Sequence, residues 1–369
     1  MRRMLAAILG LLLLLEAGCA MANPTPGTGC CGRDYCFWET PMDITDTDAV
    51  WNMLIQPMTI ITGHQRERIL ILAGPDEEAE PIGEATCDSQ GVHVLETLEN
   101  GWSLIECHSS SDGGSQLDVY GDLVRGYVPT DRLQTVPSKT EYGLVVDKLT
   151  QRMYVFHDGE MLTILRVSTG KPSKAEPQNE TEGGEFHLIS MVGSYVAGYN
   201  VICENAIRFN EGNLIHNVPY DVNDEGEKDY WKYEKYLGQR ASNGCIRVQR
   251  RRTPEGVNMT WLWNRLFDQK RTRMVIWEDG PGRQLAVPDP DTPVYVLPGL
   301  SGAYHRKPGC YSVDQAYRNK MQAISYSQLE EDAYARLANC YYCNPPLRLS
   351  TIEAINQQHA VDETQQPAE

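Results

Sequence analysis

Positive charge is in short supply in this chain. Its 369 residues carry 33 Lys and Arg against 50 Asp and Glu, a formal net charge of −17 at pH 7. A surface of that sign repels nucleic acid and other polyanions, so nucleic acid is excluded as a partner. Long apolar runs are missing too. The one candidate, Leu5 to Leu15, is too short to read as a spanning helix. Low-complexity sequence is confined to the end, where Gln, Glu and Pro accumulate after Glu353, and residues 348–369 read as a flexible tail. The remainder is long enough for two or three domains.

The N-terminus addresses the chain outward. Arg2 and Arg3 precede the apolar run, and Ala20-Met21-Ala22 is a small-x-small cleavage site, so residues 1–22 read as a signal peptide of a secreted protein. Lipid attachment at Cys19 is the rival reading, opposed by Glu16 where an apolar residue is preferred. Eleven cysteines in an exported chain make disulfides plausible. Cys87 and Cys107, flanking a small β unit, are the first pair expected. Cys30, Cys31 and Cys36, in an N-terminal segment over 23–65, form a staple for which Cys203 is a partner candidate.

Residues 66–137 alternate β-rich runs with turns: Ile69 to Leu72, Val92 to Leu95, Gly101 to Ile105 and Gly126 to Pro129. Pro137-Ser138-Lys139 then reads as a linker. From Tyr142 to Trp277 the pattern is again β, with runs at Gly143 to Asp147 and Met153 to His157. Asp158-Gly159 is a hairpin turn before Met161 to Ser168, and one helix is expected over Met259 to Lys270. Such a meander predicts a β-sandwich. In the segment 290–347, His305, Cys310 and the knuckle Cys340-x-x-Cys343 can supply four ligands to a structural Zn ion. A disulfide from Cys310 to either knuckle cysteine is the alternative. A helix from Gln328 to Ala338 would join the halves of that site.

Chemistry concentrates at Ser242-Asn243-Gly244-Cys245-Ile246-Arg247. Gly244 frees the backbone to turn and to aim amides at an oxyanion, and a neighbouring guanidinium favours a thiolate. Ile246 to Val248 reads as a strand that puts Cys245 and Arg247 on one face. His216, after Leu214-Ile215, is the histidine best placed as a base. A structural cysteine in a disulfide is the competing reading for Cys245. Between His216 and Cys245 the run Asp229 to Tyr236 reads as a lid or helical flap.

Four ordered elements, Ser168-Thr169-Gly170, Glu182 to Phe186, Ile215-His216 and Ser242 to Arg247, make residues 142–277 resemble the L,D-transpeptidase catalytic domain. The strands of 66–137, with Gly101-Trp102 and Gly126-Tyr127-Val128, are similar to a bacterial SH3-like module, either a spacer or a wall-binding unit. The fold implied is mainly β, a sandwich preceded by an SH3-like barrel and followed by a small Cys/His-containing α+β tail. The resemblance implies a cysteine acyltransferase of cell-wall biogenesis that needs no catalytic cofactor. Cys245 would be nucleophile and His216 base, amides near Gly244 would hold the oxyanion, and Ser242 and Arg247 would orient loop and substrate. Peptidoglycan stem peptides would be the partners and carbapenems inhibitors. An L,D-carboxypeptidase, or a non-catalytic wall-binding protein, are the alternatives.

Overall fold

The computed structural model describes residues 42–360 apart from 65–66, 112–113, 116, 199 and 300–301. The signal peptide, Cys19, Cys30, Cys31 and Cys36 lie outside the described residues. Helix α1 (Thr47–Ile55) starts where the Asp46 side chain accepts the Ala49 amide at 3.0 Å. Its buried face is Val50, Met53 and Leu54. Seven strands follow: β1 (Met58–Ile61), β2 (Arg68–Leu72), β3 (Pro81–Thr86), β4 (His93–Thr97), β5 (Trp102–His108), β6 (Leu123–Pro129) and β7 (Leu133–Val136). They form an antiparallel sheet in the order β3-β2-β6-β5-β4, with β1 and β7 paired beside it.

Then come β8 (Tyr142–Asp147), β9 (Arg152–His157), β10 (Glu160–Ser168), β11 (Gly184–His187), β12 (Ser190–Ala197), β13 (Val201–Arg208) and β14 (Leu214–Asn217). The short pair β15 (Asp221–Val222) and β16 (Lys228–Asp229) leads to α2 (Trp231–Glu234), β17 (Ile246–Val248), α3 (Met259–Leu266) and β18 (Arg273–Trp277). Nine of these strands make one sheet, in the order β11-β18-β8-β9-β10-β17-β14-β13-β12. The two layers expected of a sandwich are halves of that single sheet. It turns along β10, whose body pairs β9 while its end, Val167 and Ser168, pairs β17. Leu144, Val146, Met153 and Val155 from one half share a core with Ile207, Ile215, Ile246 and Val248 from the other, under α3.

Strand period explains why Gly143 to Val146 reads as continuous apolar sequence. Alternate residues leave opposite faces. Leu144 and Val146 enter the core between the halves, whereas Val145, Tyr154, Phe156, Val275 and Trp277 pack against α1 and the small β unit. Gly143 lies against Leu54, which leaves it no room for a side chain. The segment read as a linker is accordingly no tether. Ser138 is buried, and its hydroxyl donates to the Gln56 carbonyl at 2.8 Å and meets His187 Nε2 at 3.0 Å.

The chain ends in β19 (Pro293–Val296), β20 (Ala303–Tyr304), β21 (Gln322–Ser325), β22 (Ala338–Asn339) and α4 (Leu349–Gln358). Three expectations fail here. Residues 349–358 are a helix, not a flexible tail, because Ile352 is buried and Asn356 exchanges two hydrogen bonds with Leu285 at 2.7 and 3.0 Å. Gln328 to Ala338 is not a helix. A tight turn over Tyr326–Glu330 stops at an extended Glu331, and Arg348 takes the carbonyls of Leu329, Tyr334 and Leu337. The helix expected to reach Lys270 ends at Leu266.

Cys87 and Cys107 are free thiols and do not pair with each other, and Cys203 pairs with no cysteine among the described residues, its candidate partners Cys30, Cys31 and Cys36 lying outside them. Two strands, β2 and β6, stand between β3, which leads to Cys87, and β5, which carries Cys107. Burial pushes the Cys87 thiol up to about 11, and its sulfur lies 3.9 Å from the Arg132 guanidinium. Because α1 joins the two β units through one core, Leu54→Ala should cost about 2–5 kcal/mol. Urea unfolding should remain a single transition shifted to lower midpoint. A small β unit that melted separately would contradict the shared core.

Candidate active site

The parallel pairing of β14 with β17 sets His216 opposite Arg247, and Cys245 immediately precedes β17. The turn that presents the cysteine is tied on every side. The Ala241 and Ser242 amides donate to the Thr169 carbonyl at 2.9 and 3.0 Å, the Lys171 amide returns to Ser242 at 2.9 Å, and the Ser242 hydroxyl donates to the Cys245 carbonyl. Ser242 therefore closes the loop. Gly244 has φ +107°, a conformation for glycine. A side chain there would also strike the Asn213 amide and the Glu180 carbonyl. The amides of Gly244 and Cys245 have no hydrogen-bond partner among the described residues. They are free for an oxyanion.

Cys245 is half-buried and His216 buried. His216 Nδ1 lies 2.6 Å from its neighbour's carbonyl, Asn217 O, which assigns the proton to Nδ1 and leaves Nε2 able to accept one. Burial, with Arg247 adding to it, lowers His216 to about 4, and burial raises the Cys245 thiol. The resting pair is thus a neutral thiol and a neutral imidazole. Arg247 pairs with no carboxylate among the described residues, and its guanidinium stands 5.4 Å over the Tyr233 ring. Tyr233 belongs to α2, so the insert read as a flap places a short helix beside Arg247. It is held by the Asp221 carboxylate, which accepts the Tyr233 hydroxyl and the Lys232 ammonium, both at 2.6 Å.

Two residues of the site escaped sequence reading. Tyr195 Oη lies 3.8 Å from Cys245 Sγ, and its ring meets His216 edge-on at 6.1 Å. Cys203, paired with Tyr195 across β12 and β13, is buried beside the same hydroxyl. Both sit on strands with no motif, so only the sheet register brings them in. Of the wall behind Gly244, the four ordered sequence elements contain only Glu182. Asn213 Nδ2 donates to Glu182 at 3.2 Å, Ser111 from the small β unit donates to Glu182, and Thr181 donates to the Gly244 carbonyl. Below it, Lys148 contacts Glu180 and Glu278 at 2.7 and 2.6 Å, and Arg240 grips Glu180 and Asp279.

In the C-terminal segment, His305, Cys310, Cys340 and Cys343 come together as foreseen. All four are buried, with ligand atoms within 4.8 Å of one another, and the donor set suits a structural metal.

Residues 141–296 match the YkuD family, the L,D-transpeptidase catalytic domain. This portion of the chain is a domain of that family, and it runs past Trp277 to include β19. Solved structures resemble the chain at low identity. An L,D-transpeptidase from Xylanimonas cellulosilytica is 18% identical over 38% of this chain, at a TM-score of 0.26, and the chain spans 64% of that protein's length. The catalytic domain of the E. faecium L,D-transpeptidase is 18% identical over 37% of this chain and 96% of that one, at 0.24. The LD transpeptidase LdtMt1 in complex with imipenem is 14% identical over 60% and 92%, at 0.30. No curated protein matches.

Desolvation raises the Glu182 carboxyl to about 7. The folded state then keeps a proton that the unfolded chain releases, so this contribution to stability is full below the ordinary carboxylate range and is lost as pH rises through about 7. Glu182→Gln should remove that dependence. Between pH 5 and 8 the wild type should lose stability relative to the variant, by on the order of 3 kcal/mol at most. Parallel denaturation profiles would contradict a protonated Glu182.

Proposed function

We propose that the chain is an exported L,D-transpeptidase that crosslinks peptidoglycan stem peptides through a thioester on Cys245. The observation that carries this reading is the positive-φ Gly244 turn, which sets a half-buried thiol and free amides beside His216 and Arg247 in a YkuD domain. Cys245 Sγ attacks the carbonyl joining an L-centre diamino acid to the terminal D-Ala of a donor stem. Because thiol and imidazole rest neutral, His216 Nε2 takes the proton as the C–S bond forms. The Gly244 and Cys245 amides hold the oxyanion. As the C–N bond breaks, His216 returns the proton to the departing D-Ala amine. An amine of a second stem then attacks the thioester, forms the new amide and releases the thiol. No cofactor enters.

Arg247, without a carboxylate partner among the described residues, takes the donor's carboxylate under the α2 insert, and Ser242 holds the loop in place. Residues 1–22 would export the chain to the cell wall, with the SH3-like unit as a rigid flank facing it.

The test is turnover of a tetrapeptide stem with a second stem as acceptor, followed by mass spectrometry. Wild type should yield a crosslinked dimer and free D-Ala. Cys245→Ala should yield neither while keeping its fold, and turnover by that variant would overturn the assignment. His216→Ala should slow the acylation step about 10²–10⁴-fold. In the wild type, a base lowered to about 4 stays competent in mild acid, so the acid limb of kcat/KM should fall near pH 4 rather than 6.5. Release of D-Ala with no dimer at any acceptor concentration would mean that water is the acceptor and the enzyme a carboxypeptidase.

A further inference from the structure

The C-terminal cysteines and His305 play no part in the chemistry proposed above, and their geometry makes a separate statement. Cys310 Sγ and Cys340 Sγ are 3.8 Å apart, and Cys343 Sγ and His305 Nδ1 are 3.7 Å apart. A tetrahedral zinc ion, with Zn–S near 2.3 Å and Zn–N near 2.0 Å, requires edges of about 3.8 Å between sulfurs and about 3.6 Å between sulfur and nitrogen. A disulfide would need the sulfurs at about 2.05 Å. These two edges have the size of a coordination tetrahedron, and all four ligand atoms lie within 4.8 Å of one another.

Three further features suit thiolates rather than thiols. The Tyr342 amide points at Cys340 Sγ at 3.4 Å, two residues along the knuckle, and the Arg306 amide points at Cys343 Sγ at 3.2 Å. Ser312 Oγ lies 3.3 Å from Cys310 Sγ and 3.2 Å from Cys340 Sγ. Such donors spread the net negative charge of one divalent ion bound to three thiolates. Strand pairing supplies the rigidity, since β20 runs parallel to β22 and so carries His305 alongside Cys340. After the knuckle, Asn344 adopts φ +44°, and its amide returns to the Cys340 carbonyl at 3.1 Å.

This knuckle is also the part of the segment that grips the catalytic sheet. Asn344 Nδ2 donates to the Ile164 carbonyl of β10 at 2.8 Å and to Gln249 Oε1 at 3.3 Å. Arg152 of β9 donates to the Pro345 carbonyl at 2.8 Å, and the Arg166 guanidinium lies 4.8 Å over the Tyr341 ring. Gln249 directly follows β17, the strand that begins after Cys245. The packed core of the segment is small, with Val294, Val296, Tyr304, Tyr326 and Leu329 as its buried apolar residues. A unit of that size needs a staple.

We infer that His305 Nδ1 and the thiolates of Cys310, Cys340 and Cys343 bind one structural Zn2+, which fixes the knuckle against β10 and the end of β17. The inference is independent of the transpeptidase reading, because its readouts are metal and thiols.

The full chain, purified without reductant, should carry about one zinc by elemental analysis. Cys310, Cys340 and Cys343 should resist alkylation until a chelator is added and then be labelled together, as mapped by mass spectrometry. Replacing zinc with Co2+ should give the visible bands of a tetrahedral thiolate complex. Chelation should raise hydrogen exchange over residues 341–345 and also over 249–251. His305→Ala and Cys343→Ser should each lose most of the metal. Should these variants fail to fold, the wild-type metal count and alkylation still decide. Protein without zinc after metal loading, a mapped disulfide among the three cysteines, or exchange that rises only outside 249–251 and 341–345 would overturn the inference.

Discussion

The site depends on a backbone constraint at Gly244. Its φ of +107° is open to glycine, and its Cα is pressed against Asn213 and the Glu180 carbonyl so closely that no side chain fits. That contact orders the wall behind it. Glu180 is held by Lys148 and Arg240, and Glu182 is buried against Asn213 and Ser111. Buried Lys148 and Glu182, with half-buried Glu180 and Arg240, thus stand behind one turn, and the turn holds a thiol beside free amides. Desolvation shifts the Glu182 carboxyl at the centre of this wall toward its neutral form, which lessens the cost of burying it.

A second constraint is that the β8, β9 and β18 half of the catalytic sheet is covered on both faces. One face meets the half that carries His216 and Cys245, and the other meets α1 and the small β unit. The unit before the catalytic domain is thus part of its scaffold. Ser111, a residue of that unit, reaches Glu182 behind the Gly244 turn, which places the interface within two side chains of the candidate site.

Local sequence carried the Gly244 turn, the His216 strand, the Asp158-Gly159 hairpin and the cysteine knuckle, because each is written within a few consecutive residues. Asp158 and Gly159 both take positive φ, as the dipeptide predicts. What the sequence could not show depends on register between distant strands. Tyr195 and Cys203 reach the site because β12, β13 and β14 are neighbours in the sheet, and neither residue lies in a motif. The errors share a cause. Cys87 and Cys107 flank a small β unit in sequence, whereas two strands separate their elements in the sheet. The end of the chain was judged by its polar composition, whereas Ile352 and Asn356 suffice to dock a helix. Between Glu330 and Ala338, a distant arginine, Arg348, claims the carbonyls that a helix would have used.

The central claim is that Cys245 is an acylable nucleophile activated in place by its turn and by His216. It is tested most directly by incubating the intact protein with imipenem and locating the adduct by peptide mapping. A single acyl adduct on Cys245, with Cys203 and Cys87 unmodified, is the expected result. An unmodified Cys245, or an adduct spread over several cysteines, would contradict the account.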